Sequence, residues 1–151
     1  MEAVLLSLHV VGGILLVGPV AVAVSLFPRF APVADGETER RLGERSVHVA
    51  GLLHRVSRGY GLVALIVPIV GITLALVQQR MGEIWITIAM VLTAVAGALL
   101  ALQIVPRQRL ALREPDGGAR LRRLRMLAGV FNLLWLVVVV LMIVRPGSAY
   151  A

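Results

Sequence analysis

The sequence predicts an all-α fold, a four-helix transmembrane bundle, and three observations lead to this prediction. Hydrophobic residues make up 59% of the 151 residues and charged residues only 15%, whereas soluble domains average about 25% charged residues. Four runs carry no charge at all: 3–27, 59–77, 84–105 and 126–144. Each run is long enough to cross a bilayer core, which takes roughly 20 apolar residues in a helix. Because backbone in lipid must bond to itself, we expect four helices in one membrane domain over residues 1–151.

The first run is predicted to be a retained membrane helix rather than a signal peptide. A signal peptide begins with positive charge, but the only charged residue before this run is Glu2. Pro28 and Pro32 follow the run. Since proline cannot donate a helical hydrogen bond, we expect these two residues to end helix 1.

Residues 35–58 form the longest polar stretch and are predicted to contain an amphipathic cytoplasmic helix that leads into helix 2. Asp35 or Thr38 can cap its start. Apolar residues then recur at near-heptad spacing: Leu42, Val49, Leu53 and Val56. This stripe fits a helix that lies on the inner leaflet. The alternative is that helix 2 itself extends into the cytoplasm as one long helix.

Prolines and small residues give helices 2 and 3 their predicted features. Pro68 is expected to bend helix 2, and Pro106 is expected to end helix 3. The short segment 78–83 predicts that helices 2 and 3 pack as an antiparallel hairpin. Helix 3 also carries small residues at four-residue spacing, a pattern that lets membrane helices approach closely. We call Thr93, Gly97 and Ala101 the small-residue seam and expect it to contact a partner.

Arginine supplies all fifteen basic residues, and its distribution predicts the orientation of the chain. Thirteen arginines lie between helices 1 and 2 or between helices 3 and 4, whereas only Arg80 and Arg145 lie on the other side. Positive loops stay in the cytoplasm, so we expect a bacterial inner-membrane protein with both termini outside. Arginines beside membrane helices contact anionic lipids, which explains the net charge of +7 without nucleic acid. Four arginines are predicted to bind lipid headgroups: Arg55, Arg58, Arg122 and Arg123.

Composition excludes several kinds of site. The chain has no cysteine, so it has no disulfide, thiolate metal site or cysteine nucleophile. None of its eight acidic residues falls within a predicted span. Proton relays and ion pathways in membranes usually contain such residues, and their absence argues against both.

His9 is the one histidine inside a predicted span, and no acidic residue or arginine lies in any of the four. Such groups are candidates for function. One interpretation is a heme or metal ligand, and the other is a neutral histidine bonded to a neighbouring carbonyl or hydroxyl. Met90 and Met142 lie at comparable depth, and either is a candidate second ligand because histidine–methionine ligation of heme is ordinary. Methionines in apolar helices, however, mostly serve packing.

Two further polar groups have alternative interpretations. Asn132, near the middle of helix 4 with Trp135, is predicted to hydrogen-bond across helices, or else to contact a quinone or substrate. His48 and His54, with the neighbouring arginines, form either a cytoplasmic anion or lipid-headgroup site or a solvated polar face.

Four sequence segments resemble an uncharacterised bacterial membrane family, domain of unknown function 2269. These are Leu-His-Val-Val-Gly-Gly at 8–13, Leu-Val-Gly-Pro at 16–19, Ser-Leu-Phe-Pro-Arg at 25–29 and His-Arg-Val-Ser-Arg-Gly-Tyr-Gly at 54–61. That family is similar in turn to the copper-resistance CopD and protoporphyrinogen-oxidase HemJ group. The resemblance covers mainly helices 1 and 2 and implies heme or metal handling by His9. The tryptophan common a turn or two later is absent here, as are the histidine and methionine clusters of a copper carrier.

These features predict a small inner-membrane protein without catalysis of its own. It is expected to be either heme-associated or an accessory subunit that packs against a larger membrane complex or further copies of itself. One alternative is a heme-dependent membrane oxidoreductase resembling HemJ, with His9 as ligand. The second alternative is an oligomeric small-molecule transporter, against which the lack of charge in the spans counts.

Overall fold

The computed structural model describes residues 1–34 and 46–148, which form four long helices. They are α1 (Glu2–Phe30), α2 (Val47–Val77), α3 (Ile84–Arg113) and α4 (Ala119–Val144). Each helix is long and apolar enough to cross a membrane. The described residues contain no β-strand. The predicted all-α four-helix transmembrane bundle is therefore confirmed.

Helix α1 continues through Pro28, so the prediction that this residue ends the helix is wrong. Pro28 lies in the last turn, where the missing amide hydrogen leaves few carbonyls without a partner. The helix stops at Phe30, and the Ala31 amide still donates to the Phe27 carbonyl over 3.0 Å. Ala31 itself is extended, with φ −66° and ψ 144°, as the steric demand of Pro32 requires.

Two π-helical segments each lie immediately before a proline-containing turn. In α1 the segment Gly13–Val17 precedes Pro19, and in α3 the segment Leu100–Ile104 precedes Pro106. A proline ring clashes with the carbonyl four residues earlier, and the wider π turn makes room for the ring. Pro106 consequently sits inside α3, and the prediction that it ends the helix is wrong.

Helix α2 is interrupted shortly before Pro68. Regular helix Val47–Val63 is followed by a turn at Ala64 and Leu65 before helix resumes over Ile66–Val77. At the turn the Val67 amide donates to the Ala64 carbonyl over 3.0 Å. This carbonyl is the one that Pro68 cannot serve, so the tighter turn satisfies it within the chain.

The polar stretch before helix 2 is partly described. The Ser46 hydroxyl accepts a hydrogen bond from the Val49 amide and caps α2. The helix that leads into helix 2 is thus continuous with it from Val47, as the alternative of one long helix expects. Residues 35–45, which include the predicted caps Asp35 and Thr38, lie outside the described residues.

Helix α4 begins at Ala119, seven residues before the predicted start, because Asp116 caps it. The Asp116 carboxylate accepts hydrogen bonds from the amides of Gly118 and Arg120 at 2.9 and 3.0 Å. Burial raises the pKa of Asp116, but these backbone donors outweigh burial and hold the pKa below its ordinary value. Gly118 has φ +97°, a conformation that glycine adopts without strain.

The connecting segments meet at two opposite ends of the bundle. At one end, which we call the arginine end, the Ala34 amide donates to the Asp116 carbonyl over 3.1 Å. At the other, the terminal end, Arg80 in the turn between α2 and α3 donates to the Ser148 hydroxyl over 2.7 Å. Ser148, shortly after the end of α4, therefore lies beside the turn between α2 and α3.

The two halves of the bundle pack differently. Toward the arginine end, Gly18–Phe30 of α1 lies between α4 and the first part of α2, and the main buried core is centred there, with Phe27, Ile104 and Phe131. Toward the terminal end the helices form two pairs: Glu2–Gly12 packs on Ile66–Val77, and Ile84–Leu99 packs on α4. Contacts between α2 and α3 are sparse in this half, so the predicted hairpin packs closely only on the arginine side.

A cluster of charged and aromatic side chains at the terminal end connects the turn between α2 and α3 with the end of α4. The Glu83 carboxylate accepts from Arg80 Nε and Trp85 Nε1, each over 2.5 Å. The guanidinium carbons of Arg80 and Arg145 lie 6.0 and 5.9 Å from the centre of the Trp85 ring, within cation–π range. The hydrogen bond from Arg80, followed by that from Trp85, holds the pKa of Glu83 below its ordinary value of 4.5.

This cluster predicts an acid-sensitive contribution to stability. Since folding lowers the pKa of Glu83, the stabilisation is fully present above pH 4.5 and is lost as the pH falls through the lower folded value. We expect the melting temperature of the detergent-solubilised protein to fall more between pH 6 and pH 3 in the wild type than in Glu83→Gln. Both proteins retain Asp116, so the difference isolates Glu83. Equal losses in the two proteins would contradict the prediction.

Candidate functional site

His9 joins α1 to α2. Its Nδ1 lies 3.0 Å from the Val67 carbonyl oxygen, and the ring is partly buried. A carbonyl can only accept, so Nδ1 carries the hydrogen and donates it. In the neutral ring Nε2 then has a lone pair and no hydrogen. The expectation of a histidine bonded to a neighbouring carbonyl is met, and Nε2 keeps the capacity to bind a ligand.

Glycines allow the two helices to approach at His9. A β-carbon at Gly71 would lie 2.7 Å from His9 Cε1 and 3.0 Å from Nδ1, so the imidazole ring occupies the space that a side chain would fill. One turn further along α1, a β-carbon at Gly12 would lie 3.3 Å from a Val67 methyl group. The hydrogen bond and these close contacts hold the imidazole between the helices.

The structure places the two candidate methionines on the other helix pair. Met90 belongs to the part of α3 that packs on α4, and 39% of its surface is exposed. Met142 belongs to α4 and is partly buried. The segment that contains His9 instead packs chiefly on Ile66–Val77 of α2. Among the described residues, no group of three or more histidine or acidic side chains is placed to hold a metal ion.

Asn132 bonds across helices, as the sequence predicted. Its Nδ2 donates to the Ser25 hydroxyl of α1 over 2.8 Å, and that hydroxyl donates to the Ala21 carbonyl over 2.7 Å. The other amide atom, Asn132 Oδ1, is buried without a hydrogen-bond partner among the described residues. The indole nitrogen of Trp135, three residues later on the same helix, is likewise buried without a partner there.

A buried polar network near the arginine end was not predicted. The Gln108 side chain is fully buried, accepts from His54 Nδ1 over 3.2 Å and donates to the Ser57 hydroxyl over 3.3 Å. Ser57 is also fully buried and donates to the Leu53 carbonyl over 2.9 Å. His54 therefore joins α2 to α3 and does not form a solvated face. No sequence pattern indicates this network, because the expected end of helix 3 at Pro106 places Gln108 in a loop rather than on a helix.

The arginines predicted to bind lipid headgroups lie at the surface. Four side chains are exposed and form no ion pair with any residue in the ranges 1–34 and 46–148: Arg55, Arg58, Arg122 and Arg123. By contrast, Arg107 bonds to Gln103 in the preceding turn, and Arg120 lies 3.8 Å from the Glu114 carboxylate. The four exposed guanidinium groups are thus available to anionic headgroups.

A narrow cleft of about 50 Å³ lies between the helix pairs, and all four helices line it. The helix irregularities next to prolines meet here: the end of the π segment of α1, the break in α2 and the start of the π segment of α3 all contribute. The lining side chains are apolar apart from the Thr93 hydroxyl and the indole of Trp135. The lining includes Val20, Pro68, Thr93, Gly97, Phe131 and Trp135.

The small-residue seam divides between two environments. Thr93 and Gly97 line the cleft, and a β-carbon added at Gly97 would meet no atom within 4 Å. Ala101 is exposed on the outer surface of the bundle. Packing between the helices of this chain therefore leaves Ala101 exposed and leaves open space beside Gly97.

Comparisons with family models, with curated proteins and with solved structures give no match for this chain. The resemblance to domain of unknown function 2269 and to the CopD and HemJ group therefore stays a prediction, and the site must be interpreted from its own geometry.

The contact at His9 predicts that two glycines respond differently to the same change. Gly71→Ala forces a methyl group against a ring held by a hydrogen bond, and overpacking of this kind costs about 1–3 kcal/mol. Gly97→Ala places the same methyl group in open space and is expected to leave stability unchanged or slightly raised. Unfolding in mixed micelles by circular dichroism measures both. A Gly71→Ala variant as stable as Gly97→Ala would show that α1 and α2 do not pack as described.

Proposed function

We propose that the protein is a non-catalytic accessory subunit of a bacterial inner membrane, which acts by binding a partner within the bilayer. The observation that carries this proposal is the engagement of His9. The one histidine in the apolar runs is bonded to the Val67 carbonyl, and its ring packs directly against Gly71. It therefore serves primarily to hold α1 on α2.

Other polar groups support a binding role. Asn132, His54 and Gln108 bond across helices, which is the use expected of polar residues in a membrane bundle. The surface of the described residues presents many apolar side chains, the exposed part of the small-residue seam at Ala101, and arginines without an ion pair to another described residue. These are groups that bind neighbouring helices and lipid headgroups.

The proposed orientation places the arginine end in the cytoplasm. The exposed arginines of that end suit the anionic inner leaflet, and the positive-inside rule favours the same direction. Both termini would then lie outside, on the same side of the membrane as the cluster of Arg80, Glu83 and Trp85.

The accessory role predicts a stoichiometric partner that depends on Ala101. We expect native mass spectrometry of protein extracted with its own lipids to show this chain bound to a second polypeptide at a fixed ratio. Ala101→Leu should abolish the complex, because a bulky side chain prevents close helix approach. Ala3→Leu, the same enlargement at an exposed position of α1 away from the seam, is the matched control and should retain it.

Two results would contradict this prediction. A single chain alone in all three samples would exclude a stable partner in the membrane. A second copy of this chain as the only companion would replace the accessory role with homo-oligomerisation.

Heme association is the second candidate, and one observation favours it. Histidines that ligate metals almost always donate their other ring N–H to a carbonyl or carboxylate, which fixes the tautomer. The hydrogen bond from His9 Nδ1 to the Val67 carbonyl has this form and leaves Nε2 for iron. Oxidoreductase chemistry resembling that of HemJ would need such a ligand as well.

A pair of substitutions separates the two roles of His9. In His9→Asn the amide nitrogen occupies nearly the place of Nδ1 and can still donate to Val67, but no atom replaces Nε2. If heme binds, we expect a Soret band in the purified wild type that is lost in both His9→Asn and His9→Ala, with near-normal stability only in His9→Asn. A colourless wild-type protein from heme-replete cells would eliminate the heme candidate and leave the accessory role standing.

A further inference from the structure

A groove at the surface between α1 and α2 is large enough for part of a lipid molecule. Its volume of about 500 Å³ falls in the range of small-molecule sites, roughly 300–1,000 Å³. Two of its residues have polar side chains and four are apolar: Arg55 and Tyr60, then Leu16, Val56, Gly59 and Val63. Tyr60 and Val63 are 43% and 54% exposed, so the groove opens directly to the surrounding bilayer.

The groove is charged at one end and apolar at the other. Arg55, Gly59 and Val63 follow one another at four-residue spacing along α2, so they share one face of the helix. At a rise of about 1.5 Å per residue, Val63 lies roughly 12 Å further into the span than Arg55. The middle of the groove is free, because a β-carbon at Gly59 would meet no atom within 4 Å. The groove therefore fits a molecule with an anionic end and a long apolar part.

Arg55 lies at the depth of lipid headgroups and is available to an anion. It precedes by four residues, or roughly 6 Å, the uncharged run that begins at Gly59. Its side chain is exposed and forms no hydrogen bond or ion pair with another described residue. Tyr60, at the start of the run, has the amphipathic side chain that is enriched at membrane–water interfaces. The charged end of the groove is thus placed at the interface and its apolar end in the hydrocarbon.

We propose that this groove binds one anionic diacyl phospholipid, with its phosphate on Arg55 and one acyl chain along Gly59 and Val63. Arginine binds phosphate through charge-assisted hydrogen bonds, and the acyl chain continues from the headgroup into the apolar part of the groove. A soluble anion would use Arg55 alone and would leave the apolar walls uncovered. The sequence predicted headgroup contacts at four arginines, and the groove singles out one of them as part of a defined site. This inference goes beyond the accessory role and does not depend on a protein partner.

Native mass spectrometry of the full-length protein counts bound lipid directly. The protein is delipidated in detergent and titrated with palmitoyl-oleoyl phosphatidylglycerol in one series and with palmitoyl-oleoyl phosphatidylethanolamine in another. The acyl chains are identical, so the series differ only in the headgroup. We expect a first molecule of phosphatidylglycerol to bind saturably and before any further lipid. Phosphatidylethanolamine should bind more weakly, because its ammonium group offsets the charge of its phosphate.

One pair of substitutions tests the charged end of the groove. Arg55→Ala should weaken binding of the first phosphatidylglycerol about tenfold, the loss expected for one hydrogen bond to a charged group. Arg109→Ala is the matched control and should leave that binding unchanged. Arg109 is exposed and belongs to α3, outside the groove. It lies near the level of Arg55, because its neighbour Gln108 bonds to His54.

A second pair tests the apolar part of the groove. Gly59→Leu fills the space for the acyl chain and should abolish saturable binding of the first lipid. Gly129→Leu is the matched control, because Gly129 is also an exposed helical glycine with no atom near its β-carbon position, but it lies on α4. Circular dichroism confirms that each variant is folded.

Four results would overturn the proposal. Binding without saturation would show partition of lipid into the micelle alone. Equal weakening by Arg55→Ala and Arg109→Ala would show a diffuse attraction to the arginine end. Saturable binding that survives Gly59→Leu in a folded protein would place the acyl chain outside the groove. Equal affinity for the two lipids would show that the site does not recognise an anionic headgroup. Because every titration uses the isolated chain, none of these results bears on whether an accessory partner exists.

Discussion

The inability of proline to donate a backbone hydrogen bond governs much of this structure. In lipid a helix must satisfy its own backbone, yet α1, α2 and α3 each carry a proline well inside their length. Each helix accommodates it by changing the turn: π segments precede Pro19 and Pro106, and a break precedes Pro68. The three irregularities line one cleft between the helix pairs, so the local departures from α-helical geometry meet at one place in the bundle.

Polar side chains then fasten the helices on either side of that cleft. His9 holds α1 on α2 toward the terminal end, Asn132 holds α4 on α1, and Gln108 joins α2 to α3 toward the arginine end. Each bond connects two different helices. Apolar side chains alone pack almost equally well at several positions along a neighbouring helix, so these bonds select one alignment of the two helices. Lipid offers no competing hydrogen bonds, so a few such bonds fix the arrangement of helices whose surfaces are otherwise interchangeable.

The sequence predicted the number and class of the helices because the absence of charge over four long runs reflects the solvent directly. It also predicted the alternative of a bonded His9 and the interhelical bond of Asn132, since both follow from the high cost of unpaired polar groups in lipid. It failed at Pro28 and Pro106, where a rule from regular helices treats proline as a terminator. Whether a π turn absorbs the proline depends on packing around it, and the pairing of α1 with α2 and α3 with α4 depends on long-range contacts that no local pattern encodes.

The same packing divides the small-residue seam of α3. Thr93 and Gly97 line the narrow cleft between the helix pairs, whereas Ala101, one turn further on, is exposed. Close approach of a second helix in lipid needs small residues at the surface. Ala101 is therefore the member of the seam through which the proposed partner would approach α3, and the packing of the bundle leaves that position uncovered.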